Sequence, residues 1–127
     1  MLPFNRAAEI AEAVTGFHFS KESMFEVGER VVNLERAYLV REGIRRRDDY
    51  LPQRFLKESL PNGNSKGSIF EMEPMLDEYY AQRGWDQRGI PTNATLKKLG
   101  LVHVAQQLSR HVKNSPVKKK WSSRTPI

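Results

Sequence analysis

The most regular pattern in the chain is the series Met24, Val27, Val31, Leu34 and Tyr38, whose apolar side chains recur at steps of three and four. That spacing puts them on one side of an α-helix. Ser20 suits the start of this helix, because a serine hydroxyl can accept from the unpaired N–H groups of the first turn. Glu22 sits where the helix dipole favours an acid, and Gly43 supplies a stop. Phe25, Val32 and Leu39 widen the stripe, so the helix is expected to bury its seam against more than one neighbour. Gly28 falls inside the helix at a cost of about 1 kcal/mol relative to alanine; close approach of another backbone would account for it.

Punctuation along the rest of the chain predicts further helices. Positions 5–14, rich in alanine and glutamate, read as a short helix that Thr15-Gly16 ends, with Gly16 as a left-handed terminating residue. Glu73-Pro74 opens another, with proline at the first helical position. Met75, Leu76, Tyr79 and Tyr80 form its apolar face, Asp77 and Glu78 point outward, and Gly84 ends it. A turn from Trp85-Asp86 through Gly89 to Pro91 follows. Thr92 caps a short helix over 94–99 closed by Gly100, and Leu101, Val104, Ala105, Leu108 and Val112 mark a last amphipathic helix.

Between Ile44 and Glu71 no period is sustained, and Pro52, Pro61, Gly63 and Gly67 break the chain. Such a stretch is uncommon inside a compact domain. Yet Tyr50, Leu51, Phe55, Leu56, Leu60, Ile69 and Phe70 are residues that seek burial, and a segment wrapped over a partner surface meets both conditions. No segment alternates as a strand and no repeat is present. The fold class is therefore mostly α, an irregular multi-helix domain with a long wrapped loop over about residues 44–71.

Composition changes this picture in two places. The chain has 127 residues, enough for one domain, and contains no cysteine, which removes disulfides, thiolate zinc sites, cysteine-held iron–sulfur clusters and a cysteine nucleophile from within it. The net charge of +6 points at first to nucleic acid, but Lys113, Lys118, Lys119, Lys120 and Arg124 supply five of those charges in a segment without an acid. The expected organisation is thus a helical domain over 1–112 and a basic, flexible tail over 113–127, with nucleic-acid binding the weaker reading. The apolar runs are too short to span a bilayer and the first residues lack a signal-peptide pattern, so no membrane role and a cytoplasmic setting are expected.

Candidate chemistry is sparse. In Arg45-Arg46-Arg47-Asp48-Asp49 the adjacent arginines would hold both acids ionised, which favours a structural ion-pair network over acid–base or metal chemistry. Gly63-Asn64-Ser65-Lys66-Gly67-Ser68 has its lysine before the second glycine and no strand leading in, so it reads as a glycine-fixed turn rather than a phosphate loop. His18, His103 and His111 share no metal-binding spacing. Tyr79, Tyr80 and Trp85 are expected in a core or an interface rather than stacked on bases.

Several blocks together resemble a known family: Thr15-Gly16-Phe17, Gly28-Glu29-Arg30 with Asn33-Leu34-Glu35-Arg36, Arg41-Glu42-Gly43, Arg47-Asp48-Asp49 with Leu51-Pro52 and Arg54, and Ser65-Lys66-Gly67. The series continues through Met75-Leu76-Asp77-Glu78-Tyr79-Tyr80, Arg83-Gly84-Trp85-Asp86, Gly89-Ile90-Pro91-Thr92 and Lys98-Leu99-Gly100-Leu101. In that order, over about residues 8–108, the chain resembles the end of the C-terminal domain of tungsten-containing aldehyde:ferredoxin oxidoreductases.

The resemblance implies a helical domain packed against another helical domain and a β-rich base. Those parts enclose a tungsten–bis-pterin and a 4Fe-4S cluster, oxidise an aldehyde to a carboxylic acid and pass electrons to ferredoxin. The cluster cysteines and the Asp-x-x-Gly-Leu pterin motifs of the family are absent from this chain, and no catalytic, cofactor-binding or metal-binding residue carries over. What carries over is structural and interface material: Asn33, Arg36, Arg41, Glu42, Arg47, Asp48, Asp49, Arg54 and Trp85. The expected partners are the remaining domains or a separate subunit of the oxidoreductase, and ferredoxin through the whole enzyme. The competing reading is a non-catalytic interaction module that uses the basic tail on an acidic partner.

Overall fold

A computed structural model of the chain describes residues 4–59 and 61–114. Among them are six α-helices and a 3-10 turn, joined without a β-sheet: α1 (Phe4–Thr15), α2 (Lys21–Arg41), the 3-10 turn Arg46–Asp48, α3 (Gln53–Lys57), α4 (Met72–Arg83), α5 (Asn93–Lys98) and α6 (Val102–Asn114). The helix ends follow local chemistry. Ser20 accepts from the Ser23 backbone N–H while Ser23 returns a bond to the Ser20 N–H, satisfying two orphan donors of α2. Thr92 caps α5 in the same sense, and Gly84 ends α4 with a left-handed backbone at φ 68°. Helix α4 opens at Met72 rather than Glu73-Pro74, and Pro74 is accommodated because first-turn N–H groups have no intrahelical acceptor to lose.

The core is small. Helix α6 packs on α5 and α2, and α1 packs on α2. Ala37 and Val40 of α2 meet Ile90, Leu96, Leu99, Leu101, Ala105 and Leu108, with Val104 and Val112 closing the edge. The series expected on α6 is therefore the side it buries.

On α2 the outcome differs. Its buried residues are Asn33, Arg36, Ala37 and Val40, whereas Val27, Val31, Leu34 and Tyr38 remain exposed, Leu34 at 46% and Tyr38 at 56%. At about 100° per residue these two sets occupy different sides of the helix. Periodicity identifies an apolar side but not what covers it: α6 borders Leu34 and Tyr38 across a shallow groove through Val104 and Leu108 but leaves about half of each side chain exposed. Gly28 is likewise exposed, with open space where a Cβ would stand, so no other backbone of this chain approaches it. On α4, Leu76 and Tyr80 are buried while Met75 and Tyr79 face out.

The long connection over about residues 44–71 is irregular but not featureless. It holds the 3-10 turn, α3, and a turn in which Gly63 and Gly67 both take left-handed backbone. Phe55 and Phe70 close it on itself, ring edge to ring face at 6.2 Å, yet Tyr50, Leu51, Phe55, Ile69 and Phe70 all stay exposed. Helix α6 runs through Asn114, two residues past the expected domain limit, and the rest of the expected basic tail lies outside the described residues.

Candidate functional site

The densest polar construction joins the middle of α2, the 3-10 turn, α4 and the loop from Trp85 to Pro91. An antiparallel bridge between Trp85 and Pro91 pinches that loop, and Asp86 accepts from the Arg88 and Ile90 backbone N–H groups inside it. The loop thereby aims the Trp85 indole and the Gly89 carbonyl at α2. Trp85 Nε1 donates to Asn33 Oδ1 at 2.9 Å, and Asn33 Nδ2 donates to the Glu29 carbonyl at 3.0 Å. Full burial of Asn33 is thus matched by partners on both ends of its amide.

Arg36 is the centre. Nε donates to the Gly89 carbonyl at 2.7 Å, and the two terminal nitrogens grip Asp49 at 2.7 and 2.5 Å. The guanidinium lies 4.7 Å from the Trp85 ring and 5.9 Å from the Tyr80 ring, within cation–π reach. Tyr80 donates its hydroxyl to the second Asp49 oxygen. Gly89 has φ 73°, and a Cβ there would strike the Arg36 guanidinium and the Tyr80 hydroxyl, so glycine is required twice over at this point. Every buried side-chain nitrogen and oxygen among the described residues has a partner.

The electrostatics follow. Burial alone would lower the Arg36 pKa, but the hydrogen bond and charge of Asp49, with Tyr80, leave it raised. The Tyr80 phenol is pushed well above its ordinary value, first by burial and then by the bond and negative charge of Asp49, while Arg36 and Arg46 pull back. A phenol whose folded pKa is raised contributes stability present below the unfolded value near 10 and lost as pH climbs above it. Tyr80→Phe should therefore cost about 1 kcal/mol at neutral pH and flatten the decline in stability above that value. Urea titrations at rising pH check this, and an unchanged alkaline slope in the variant would reject it.

Four of the nine expected structural residues, Asn33, Arg36, Asp49 and Trp85, converge here. Asp48 and Arg47 sit beside the network on the 3-10 turn, where Asp48 accepts from the Arg45 backbone N–H at 2.8 Å and lies 3.7 Å from Arg47. Arg41 and Glu42 end α2 nearby, and Arg41 stacks over Tyr38 at 4.9 Å. Arg54 lies apart on α3, bonded to Glu58 at 3.2 Å. An ion-pair network was expected from adjacent residues, and for Asp49 the partner is instead Arg36, thirteen positions away. Arg46 bridges to Glu73 and Asp77 of α4, and Arg83 pairs with Glu29. Tyr80 was the missed member. Its place four residues after Leu76 marks it as inward-facing, and a buried tyrosine hydroxyl needs an acceptor.

Among the described residues no group of three or more His, Cys, Asp or Glu could hold a metal ion. With no cysteine in the chain, its residues do not fit a cysteine-held iron–sulfur cluster. No described helix is long and apolar enough to cross a membrane.

The family model described as aldehyde ferredoxin oxidoreductase, domains 2 and 3, matches residues 1–101. The chain belongs to the aldehyde ferredoxin oxidoreductase family. The chain is 37% identical over 94 residues to the tungsten-containing aldehyde ferredoxin oxidoreductases of Pyrococcus horikoshii and Pyrococcus furiosus, covering 73% of this chain and 16% of each relative. It is 32% identical over 116 residues to the WOR-like subunit of an aliphatic sulfonate oxidoreductase of Pyrococcus furiosus, covering 84% of this chain and 18% of that protein. Among solved structures it resembles the active-site complex BamBC of a benzoyl coenzyme A reductase, solved with 1,5-dienoyl-CoA. The TM-score is 0.71 at 27% identity, over 91% of this chain and 16% of that one. The chain thus spans about a sixth of the length of these aldehyde ferredoxin oxidoreductase relatives.

Proposed function

We propose that this chain is the C-terminal helical portion of a tungstopterin aldehyde ferredoxin oxidoreductase-like enzyme. The whole enzyme oxidises an aldehyde to a carboxylic acid and passes the electrons to ferredoxin. Within it this portion is a scaffold without catalytic residues of its own, and the tungsten–bis-pterin and 4Fe-4S cluster are held by residues outside these 127. Asn33, Arg36, Asp49 and Trp85 brace the scaffold internally. Arg41, Glu42, Arg47, Asp48 and Arg54 lie at the surface that meets the remaining domains or a separate subunit.

The observation that carries this reading is the bare apolar side of α2. Val27, Val31, Leu34 and Tyr38 form a continuous exposed stripe, and Phe25 and Leu39 are exposed further round the helix. A soluble domain rarely leaves a helix side of that kind uncovered unless another surface packs on it. The share of the relatives that this chain spans supplies a candidate for that surface.

Leu34→Asp tests it. In the chain alone the melting temperature should fall by only a few degrees, because Leu34 is half exposed. Association with the rest of the enzyme, produced separately and holding tungsten and pterin, should weaken by at least about tenfold, as expected for a charge placed in an interface core. Undiminished association, or tungsten or iron retained stoichiometrically by the chain alone, would overturn the scaffold reading. Recovery of an unrelated partner in place of a pterin-containing subunit would favour an interaction module.

A further inference from the structure

Beside the buried network the arginine-rich end of the molecule forms an open pocket of about 450 Å3. Its walls come from four parts of the chain: the end of α2, the 3-10 turn, the Gln87–Arg88 edge of the loop, and the end of α6. A backbone hydrogen bond from Arg46 N–H to the Arg88 carbonyl, 3.0 Å, ties the two loops together. Arg41, Arg45, Arg46, Arg47 and Arg88 line the space, opposed among its lining residues by one acid, Glu42.

The five arginines differ in freedom. Arg45 is anchored, its terminal nitrogen donating to the Val40 and Ile44 carbonyls at 2.6 and 2.7 Å. Arg46 is held by Glu73 and Asp77 at 2.6 and 2.7 Å. Arg41, Arg47 and Arg88 stand at the rim, each paired with a surface acid, Glu42, Asp48 and Asp86 respectively, while half or more of each arginine side chain stays exposed. The crowding of like charge registers at Arg45, whose pKa is lowered by burial first and then by repulsion from Arg88, Arg47 and Arg36. An anion in the cavity would relieve that repulsion.

We propose that this cavity binds a small molecule through a phosphate group. Guanidinium forks match phosphate oxygens two at a time, which a set of lysines would not do, and no lysine lines the space. The volume falls within the usual range of small-ligand sites. Concave walls from four parts of the chain suit a compact anion, whereas an extended acidic peptide would require a groove running along the surface. This inference does not rest on the scaffold reading, since it concerns binding by the chain itself and is read without aldehyde oxidation.

The test is calorimetric titration of the full 127-residue chain with pyrophosphate at about 0.15 M salt, where diffuse charge attraction is screened. One saturating site is expected, with Kd of roughly 1 mM or below. Arg47→Ala and Arg88→Ala should each weaken it about tenfold, the scale of one charge-assisted hydrogen bond. Arg47→Lys and Arg88→Lys, which keep the charge and spare the fold, should weaken it as well. Arg54→Ala on α3 and the combined replacement of Lys118, Lys119 and Lys120 by alanine should leave it unchanged. Parallel titrations with inorganic phosphate and with adenosine diphosphate separate the sources. Tighter phosphate or pyrophosphate assigns a free anion, and tighter diphosphonucleoside assigns a phosphate carried on an organic group. Three results would overturn the proposal: no saturable binding, binding lost with the lysine replacements but kept in the arginine variants, or a polyglutamate peptide displacing pyrophosphate from the cavity at lower concentration.

Discussion

Asp49→Ala should lower the unfolding free energy of this chain by about 3 kcal/mol, the low end of the range for removing one partner of a buried ion pair. The low end applies because Asp49 keeps 20% of its side chain exposed, while Arg36 keeps only 6%. The loss does not measure the attraction alone. It includes the cost of leaving the Arg36 guanidinium buried between Trp85 and Tyr80 with only the Gly89 carbonyl and the Tyr80 hydroxyl oxygen to bond. Asp49→Asn, which preserves shape, should recover only part of it. The double variant Arg36→Met with Asp49→Leu should recover more, since a buried pair replaced by apolar groups is often neutral. Urea unfolding of the four proteins decides the matter. A single Asp49→Ala chain within about 0.5 kcal/mol of the parent would mean that the network does not hold α2 to the loop in solution.

Leu96→Ala should be as damaging, for a different reason. Leu96 is fully buried within a cluster of eight buried hydrophobic residues among those described. Truncation removes transfer energy and leaves a cavity, together about 3 kcal/mol. In a domain of this size that corresponds to a drop of roughly 10 °C in melting temperature. Leu34→Ala removes the same atoms from the exposed side of α2 and should cost about 1 kcal/mol or less in the isolated chain. The two leucines are chemically identical and differ only in what covers them, so equal losses would contradict the placement of the core. In the assembled enzyme the Leu34 penalty should grow if that side of α2 is an interface.

Much of the fold was legible because the determining interactions are local. A serine at position 20, a threonine at 92 and glycines at 16, 84 and 100 set helix ends within three or four residues of themselves. The spacing of Leu101, Ala105 and Leu108 identified the buried side of α6 because α5 and α2 supply enough apolar surface to cover it. The same reasoning misplaced α2, where the longest apolar series is bare and two polar residues, Asn33 and Arg36, are buried instead. Polar side chains go inside only when partners await them, and those partners are Trp85, Gly89 and Asp49, up to 53 positions away.

From the residues alone came the helical class, the irregular segment after α2, the helix ends, and a series of blocks specific enough to indicate the family. Each depends on short-range backbone chemistry or on residue order, and both survive without knowledge of the fold. Only the tertiary structure determined which side of α2 faces inward, that Arg36 rather than a neighbouring arginine holds Asp49, that Tyr80 completes the pair, and that arginines from the end of α2, the 3-10 turn and the Arg88 loop line one pocket. Those outcomes depend on how distant segments meet, and a side chain's burial and charge balance are properties of that meeting rather than of its place in the chain.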